Sequence, residues 1–286
     1  MSLFRRVAIV GVGLIGGSIG LAVTRRGLAQ SVVGIGRQPG TLAAARQAGA
    51  VAETSLDLAT GVAGADLVLV CTPVGRIAAD VVAAAEHLTS ALVSDVGSTK
   101  AGIVHDVEGQ LCPAGAWRRG VRFLGGHPIA GSEQKGNAHA RADLFDGRAC
   151  VLTPTVKTNP SDAQKLAEFW SALGARVVKM SPADHDRALA AISHAPHVVA
   201  AALAAATPPA DIALAGGGWL DATRIAAGDA SLWQQILLAN PANVLAAIDA
   251  FESKLAALRS AIERHDAGGL EQLLAEAKQV RDAVGS

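Results

Sequence analysis

The stretch VAIVGVGLIGGSIG, residues 7–20, constrains this chain more than any other. Four apolar residues, Val7 to Val10, run straight into Gly11-x-Gly13-x-x-Gly16 and then into a segment with helical periodicity. On a strand that turns directly into a helix, each glycine has a task. Gly11 allows a tight turn, Gly13 a close approach of backbone to a ligand pyrophosphate, and Gly16 close packing of helix on strand. Leu14 and Ile15 fill the variable positions and open the helix, whose unpaired N–H groups and dipole favour a negative group. The chain is therefore expected to begin with a dinucleotide-binding α/β fold.

The pattern continues as that fold requires. Short runs rich in Val, Ile and Leu recur at Val7–Val10, Val32–Ile35, Leu67–Val70, Leu92–Val93, Val121–Leu124, Cys150–Leu152 and Arg176–Met180. Segments of helical periodicity, such as Leu14–Arg26 and Ile77–Leu88, lie between several of them, and this alternation predicts a doubly wound parallel sheet. Strand signals stop after Met180. A Rossmann-like domain over 1–180 and an all-helical domain over 181–286 are expected. Asn240-Pro241 offers an N-cap followed by proline at N1, and AGG at 267–269 is expected to end the helix it starts. From Val244 the apolar positions Ile248, Phe251, Leu255, Leu258 and Ile262 follow in steps of 4, 3, 4, 3 and 4. That narrow seam predicts lengthwise packing on another helix, in the core or across a homodimer interface.

Composition limits the partners. Among 286 residues the formal net charge is zero, which offers no surface for nucleic acid or anionic lipid. Cys71, Cys112 and Cys150 are odd in number and far apart, as expected for buried thiols in a reducing compartment. The most apolar long stretch, ALAAISHAPHVVAAALAAA, is dominated by alanine and contains two histidines and a proline, so no membrane span is expected. With no leader pattern at the start, a cytoplasmic protein is the expectation.

The second strand end reads GIGRQPG. Sites that prefer NAD carry an acidic residue there; here Gly36 takes its place, Arg37 follows, and Met1 to Ala52 contains no carboxylate. A guanidinium facing no competing anion favours NADP over NAD. The strand ends at Cys71-Thr72-Pro73 and from Asp95 to Lys100 should line the same cleft. So should GGHPIAGSEQKG, residues 125–136, a stretch too broken for helix or strand interior, which puts His127 on a loop at the cleft mouth.

GVGLIGGS, DVGSTK, GGHPIAGSEQKG with LFDGRACVLTP, SHAPH and DATRIAAGDASLW occur in the order found in prephenate and arogenate dehydrogenases, and the chain resembles that family over nearly its whole length. The resemblance implies oxidative decarboxylation of a cyclohexadienol with hydride transfer to NADP or NAD and no metal. It implies that His127 accepts the hydrogen bond of the substrate hydroxyl and that Ser98 orients His127, a reading compatible with Ser98 as a helix N-cap. Arg224 would bind a substrate carboxylate and His197 the side chain, with His194 structural. Ser132 would contact substrate, Trp233 would lie near the entrance, and Glu133, Asp221 and Arg224 would share an ionic network; Ser231-x-x-Gln234 is a plausible capping box for the Trp233 helix. Two alternatives stay open: a β-hydroxyacid dehydrogenase type, although 184–206 and 221–240 lack the lysine that class uses, and an NADPH-binding sensor without turnover.

Overall fold

The computed structural model describes residues 2–130 and 136–283, which divide into two compact units between Asn240 and Pro241. The first contains eight strands: β1 (Phe4–Val10), β2 (Ala29–Ile35), β3 (Glu53–Ser55), β4 (Leu67–Val70), β5 (Ala91–Asp95), β6 (Val121–Pro128), β7 (Ala149–Thr153) and β8 (Arg176–Lys179). Between them lie α1 (Leu14–Arg25), α2 (Pro39–Gln47), α3 (Leu58–Val62), α4 (Val74–Ala85), α5 (Ala101–Leu111) and α6 (Pro160–Ala172). They make one sheet in the order β3-β2-β1-β4-β5-β6-β7-β8. The strands from β3 to β6 are parallel, β7 runs antiparallel to β6, and β8 is parallel to β7.

Helices cover both faces of the sheet, which is why its central strands are continuous apolar runs without alternation. Val7 and Ile9 join a core with Phe4, Phe145, Phe169 and Trp170, whereas Ala8 and Val10 join Val68, Val70, Ile77 and Val93 on the opposite face. The order of strands reverses between β1 and β4, so a crevice opens outside their carboxyl ends.

Two strands differ from expectation. The edge strand β3 is three polar residues, Glu-Thr-Ser, with no apolar pattern to reveal it. β6 continues through Gly125, Gly126, His127 and Pro128, pairing His127 with Val151 of β7. These glycines serve close packing within a strand: a Cβ on Gly125 would lie 2.5 Å from Thr153 Oγ1, and one on Gly126 3.0 Å from the Asp95 carbonyl. His127 therefore stands on a strand end instead of a loop.

Beyond the strands, α7 (Pro182–Leu189) passes through a π-helical turn at Ala190–His194 into α8 (Ala195–Ala206), and α9 (Gly217–Thr223) and α10 (Ala230–Ala239) follow. The run Pro182–Ala206, 25 residues, is long and apolar enough to cross a membrane by length and composition. Its His185, Asp186 and His194 are nevertheless buried, with His185 hydrogen-bonded to His127 at the end of β6 and Asp186 to the main chain at the start of α5. The compact unit that contains the sheet extends through these helices to Asn240, past residue 180 where the strands end.

In the second unit, α11 (Pro241–Glu263) begins at the proline expected to start it. It stops before Ala267-Gly268-Gly269, which opens α12 (Ala267–Asp282) instead of closing α11; the reversal is made by His265 at φ 52°, and Asp266 caps Gly269. Of the α11 seam Phe251, Leu255 and Ile262 are exposed and Val244 is buried; Leu245 beside it is exposed as well.

Candidate active site

At one end of the crevice the work is done by missing side chains. Gly11 turns the chain at φ 95°, and a Cβ there would lie 2.8 Å from the Cys71 carbonyl oxygen. A Cβ on Gly16 would lie 2.0 Å from the Gly11 carbonyl oxygen, so both positions exclude every other residue. A Cβ on Gly13 would meet nothing within 4 Å. Gly13 is the N-cap of α1 and no side chain caps that helix, so its first N–H groups are left to a ligand. Open space above uncapped donors fits a dinucleotide pyrophosphate. Leu14 and Ile15 start the helix, Gly36 follows the end of β2, and Arg37 is exposed with no partner among the described residues. Across the switch point, Cys71 donates its N–H to Val10 at 2.7 Å, and Pro73 precedes α4 as its N-cap. Burial, aided by the charge of Asp95, pushes the Cys71 thiol far up, so it stays protonated. The Thr72 hydroxyl between them is buried and has no partner among the described residues.

At the other end the site is made of buried titratable side chains. His127 Nδ1 lies 2.9 Å from Nε2 of His185, and Nδ1 of His185 lies 2.7 Å from Asp186 Oδ1. The Asp186 carboxylate also accepts the N–H groups of Lys100 at 2.7 Å and Ala101 at 2.9 Å, and so caps α5 from α7. A carboxylate only accepts, so Nδ1–H of His185 donates to it, Nε2 of His185 accepts Nδ1–H of His127, and the free lone pair of His127 falls on Nε2. Burial pushes the His127 pKa well below its usual 6.5, and repulsion by the Lys100 ammonium, and by His185 and His194 in their protonated forms, acts in the same direction. The ring is neutral at pH 7 and able to accept a hydrogen bond. The residue stands at the carboxyl end of β6, on the same edge of the sheet as the ends of β1, β4 and β5.

The helices after the sheet close around this edge. Gln235 of α10 accepts the N–H of Gly75 in the first turn of α4 at 3.2 Å. His197 of α8 stacks on Trp233 at 3.6 Å between centroids and 10° between planes. His194 meets the same indole edge-on at 6.3 Å, and burial lowers its pKa to about 4. Burial also lowers the His197 pKa. Gly228 packs on the stack, where a Cβ would lie 2.5 Å from Trp233 Nε1 and 3.2 Å from His197 Cε1. Arg224 begins the turn Arg224–Ala227 that leads to Gly228, and it is exposed.

Several expectations are corrected. No hydrogen bond joins Ser98 to His127 among the described residues; His185 holds that ring. Ser98 is not the cap of α5 either, because Asp186 supplies it from another helix. Asp95 does not face a nucleotide: it is fully buried and its oxygens accept from Gly97 N, Gly126 N and the Lys100 ammonium. The cap of α10 is Asp229, which accepts Leu232 N–H at 2.6 Å, and not Ser231. No ion pair links Asp221 to Arg224 among the described residues, and both are exposed. Ser132 and Glu133 lie outside the described residues. The sequence reading missed His185 and Asp186, and it placed Lys100 along the cleft, whereas its side chain is fully buried against Asp95. The first two stood in SPADHD, which reads as a helix start, and Ser181 does cap α7 there; no spacing marks the next two side chains as partners of a histidine 58 positions away.

Residues 19–179 match the family described as prephenate dehydrogenase, nucleotide-binding domain, and residues 181–276 match prephenate dehydrogenase, dimerization domain. Prephenate dehydrogenase of Bacillus subtilis is 33% identical over 97% of this chain and 76% of its own. The crystal structure of prephenate dehydrogenase from A. aeolicus in complex with hydroxyphenyl propionate and NAD+ superposes with a TM-score of 0.89 at 33% identity, covering 98% of each chain. Synechocystis arogenate dehydrogenase gives 0.83 at 31% identity, covering 98% of this chain and 100% of its own. The matches take in the sheet that carries both ends of the crevice and the helices that close it, and they identify a dehydrogenase with a nucleotide-binding domain: the chain belongs to the prephenate dehydrogenase family.

Proposed function

We propose that this chain oxidatively decarboxylates prephenate or arogenate, giving 4-hydroxyphenylpyruvate or tyrosine, with NADP preferred over NAD. The observation that carries the reading is the bond chain Asp186–His185–His127, which leaves one neutral imidazole nitrogen without a partner among the described residues, at the sheet edge that also carries the nucleotide turn. Gly11, Gly13, Leu14, Ile15 and Gly16 would hold the pyrophosphate, Cys71, Thr72 and Pro73 would line the cleft, and Arg37 would pair with a 2'-phosphate. When bound, the nicotinamide supplies the acceptor for the hydride that leaves the carbon bearing the hydroxyl.

The chain's own groups do the rest. His127 Nε2 accepts the hydroxyl hydrogen bond and takes its proton as the carbonyl develops. The positive charge then forming on the ring is stabilised through His185 by Asp186, an anion already fixed by two main-chain donors. The ring carboxylate departs as carbon dioxide, its bonding pair makes the ring aromatic, and the carbonyl oxygen takes its proton back from His127 to become the phenol, which leaves the imidazole neutral again. Aromatisation drives the reaction, so alignment and one proton acceptor suffice. Arg224 offers a planar fork to a substrate carboxylate, and the His197–Trp233 stack bounds the side-chain end. Exposed Leu245, Phe251, Leu255 and Ile262 of α11 would be covered in a homodimer, in keeping with the dimerization-domain match.

The experiment is a steady-state assay of both cyclohexadienols against both cofactors. Turnover of at least one substrate is expected, with NADP favoured and that preference lost in Arg37→Ala. No turnover of either substrate with either cofactor would overturn the reading.

A further inference from the structure

Two buried charges have no part in that chemistry. The side chains of Asp95 and Lys100 are both 0% exposed and are paired with each other. Burying such a pair costs desolvation that its attraction offsets only in part, and apolar residues of similar size would pack these strands as firmly. What apolar residues cannot do is bind main-chain donors. One Asp95 oxygen accepts Gly97 N–H at 2.9 Å together with the Lys100 ammonium, and the other accepts Gly126 N–H at 3.2 Å, next to His127. The backbone N–H of Lys100 donates at 2.7 Å to Asp186, the carboxylate that holds His185 and through it His127. Residue 100 thus joins two arms that meet again at the histidine.

We propose that the Asp95–Lys100 pair is a positioning element for His127: its carboxylate fixes the main chain at Gly126, while the main chain of Lys100 anchors the imidazole through Asp186 and His185. This rests on the reading of His127 as the proton acceptor. The ammonium has a second effect, since a buried positive charge disfavours a second one on the imidazole. Among the described residues the titratable groups around that ring are His185 of α7, backed by Asp186, His194 of the π-helical turn, Lys100 with its partner Asp95, and the Cys150 thiol of β7, which burial keeps protonated.

Lys100→Met tests the pair. We expect kcat to fall roughly 10- to 100-fold with KM nearly unchanged, the cost of a misaimed acceptor, and the acid limb of kcat/KM to move to higher pH. Imidazole ¹⁵N NMR of the whole protein without substrate should show His127 losing its single Nδ1–H tautomer and titrating at higher pH. Wild-type tautomer, titration and kcat with only a lower Tm would overturn the proposal. If Lys100→Met does not fold, Asp95→Asn combined with Lys100→Met removes both charges; there the proposal requires a lower kcat and a mixed tautomer, and wild-type values of both would sink it. The NMR arm needs no turnover, so a protein inactive on both cyclohexadienols would defeat the functional reading while the positioning result stands.

Discussion

The two ends of the crevice are made of different materials. At the nucleotide end Gly11, Gly13 and Gly16 act by having no side chain, and the donors on offer are main-chain N–H groups. At the histidine end Asp95, Lys100, His127, His185 and Asp186 are all buried, and they come from three segments far apart in sequence, 95–100, 127 and 185–186. The first end recognises its ligand by shape and fixed dipoles, so pH should hardly affect it and steric change should destroy it. The second depends on where protons sit, so isosteric changes of charge should disable it while the fold persists.

The largest effect expected from breaking this contrast is at Gly16. An alanine Cβ would stand 2.0 Å from the Gly11 carbonyl oxygen, and either the turn or the start of α1 must move. Gly16→Ala should weaken nucleotide binding by at least about 10²-fold, the scale of losing a site's alignment, at every pH between 6 and 9; titration calorimetry measures this. Binding within a few fold of wild type would mean that the turn is not what recognises the nucleotide. A smaller effect is expected from His185→Gln, which keeps a polar group but breaks the bond sequence from Asp186 to His127. Here kcat should fall roughly 10- to 100-fold, as for loss of an orienting partner, with the nucleotide Kd unchanged. A parallel loss of nucleotide affinity would show that the two ends are not separable.

Much of this contrast explains what could be read from the sequence. Steric requirements are local, and the glycines at 11, 13 and 16 announce the turn, the helix and the strand before them within a few residues. The runs at Leu67–Val70 and Val7–Val10 are legible because strands buried on both faces need unbroken apolar residues. His127 was found from its neighbours, but on a misread element: Gly125 and Gly126 look like turn residues and in fact allow β6 to pass close to Thr153 and Asp95. The histidine's partners were not legible, because His185 and Asp186 reach it only once α7 has docked on the start of α5. Ser98, nearer in sequence and matched by family resemblance, was assigned the orienting bond that His185 makes. Asp229 was overlooked as the cap of α10 because Ser231 offered a capping pattern two residues later.

The smallest expected effect concerns stability. Burial holds His127 well below 6.5 and His194 near 4, whereas the same residues in the unfolded chain bind protons near their ordinary value of about 6.5. Between pH 6.5 and 4 the unfolded state therefore binds more protons than the folded one, and stability must fall as the pH falls. Tm should be level above pH 7 and drop by several degrees over that window, with a shallower drop in His194→Gln. A Tm that rises on acidification would show that these rings are not held neutral.

The pH dependence of kcat/KM for the wild type and for His127→Asn tests most directly that a neutral His127, aimed by His185 and Asp186, accepts the substrate proton. The wild type should lose activity with acid through one group titrating below 6.5, and the variant should lose both that limb and roughly 10² to 10⁴ of its turnover while binding nucleotide normally. Turnover close to wild type in the variant, or an acid limb that persists unmoved, would contradict the assignment.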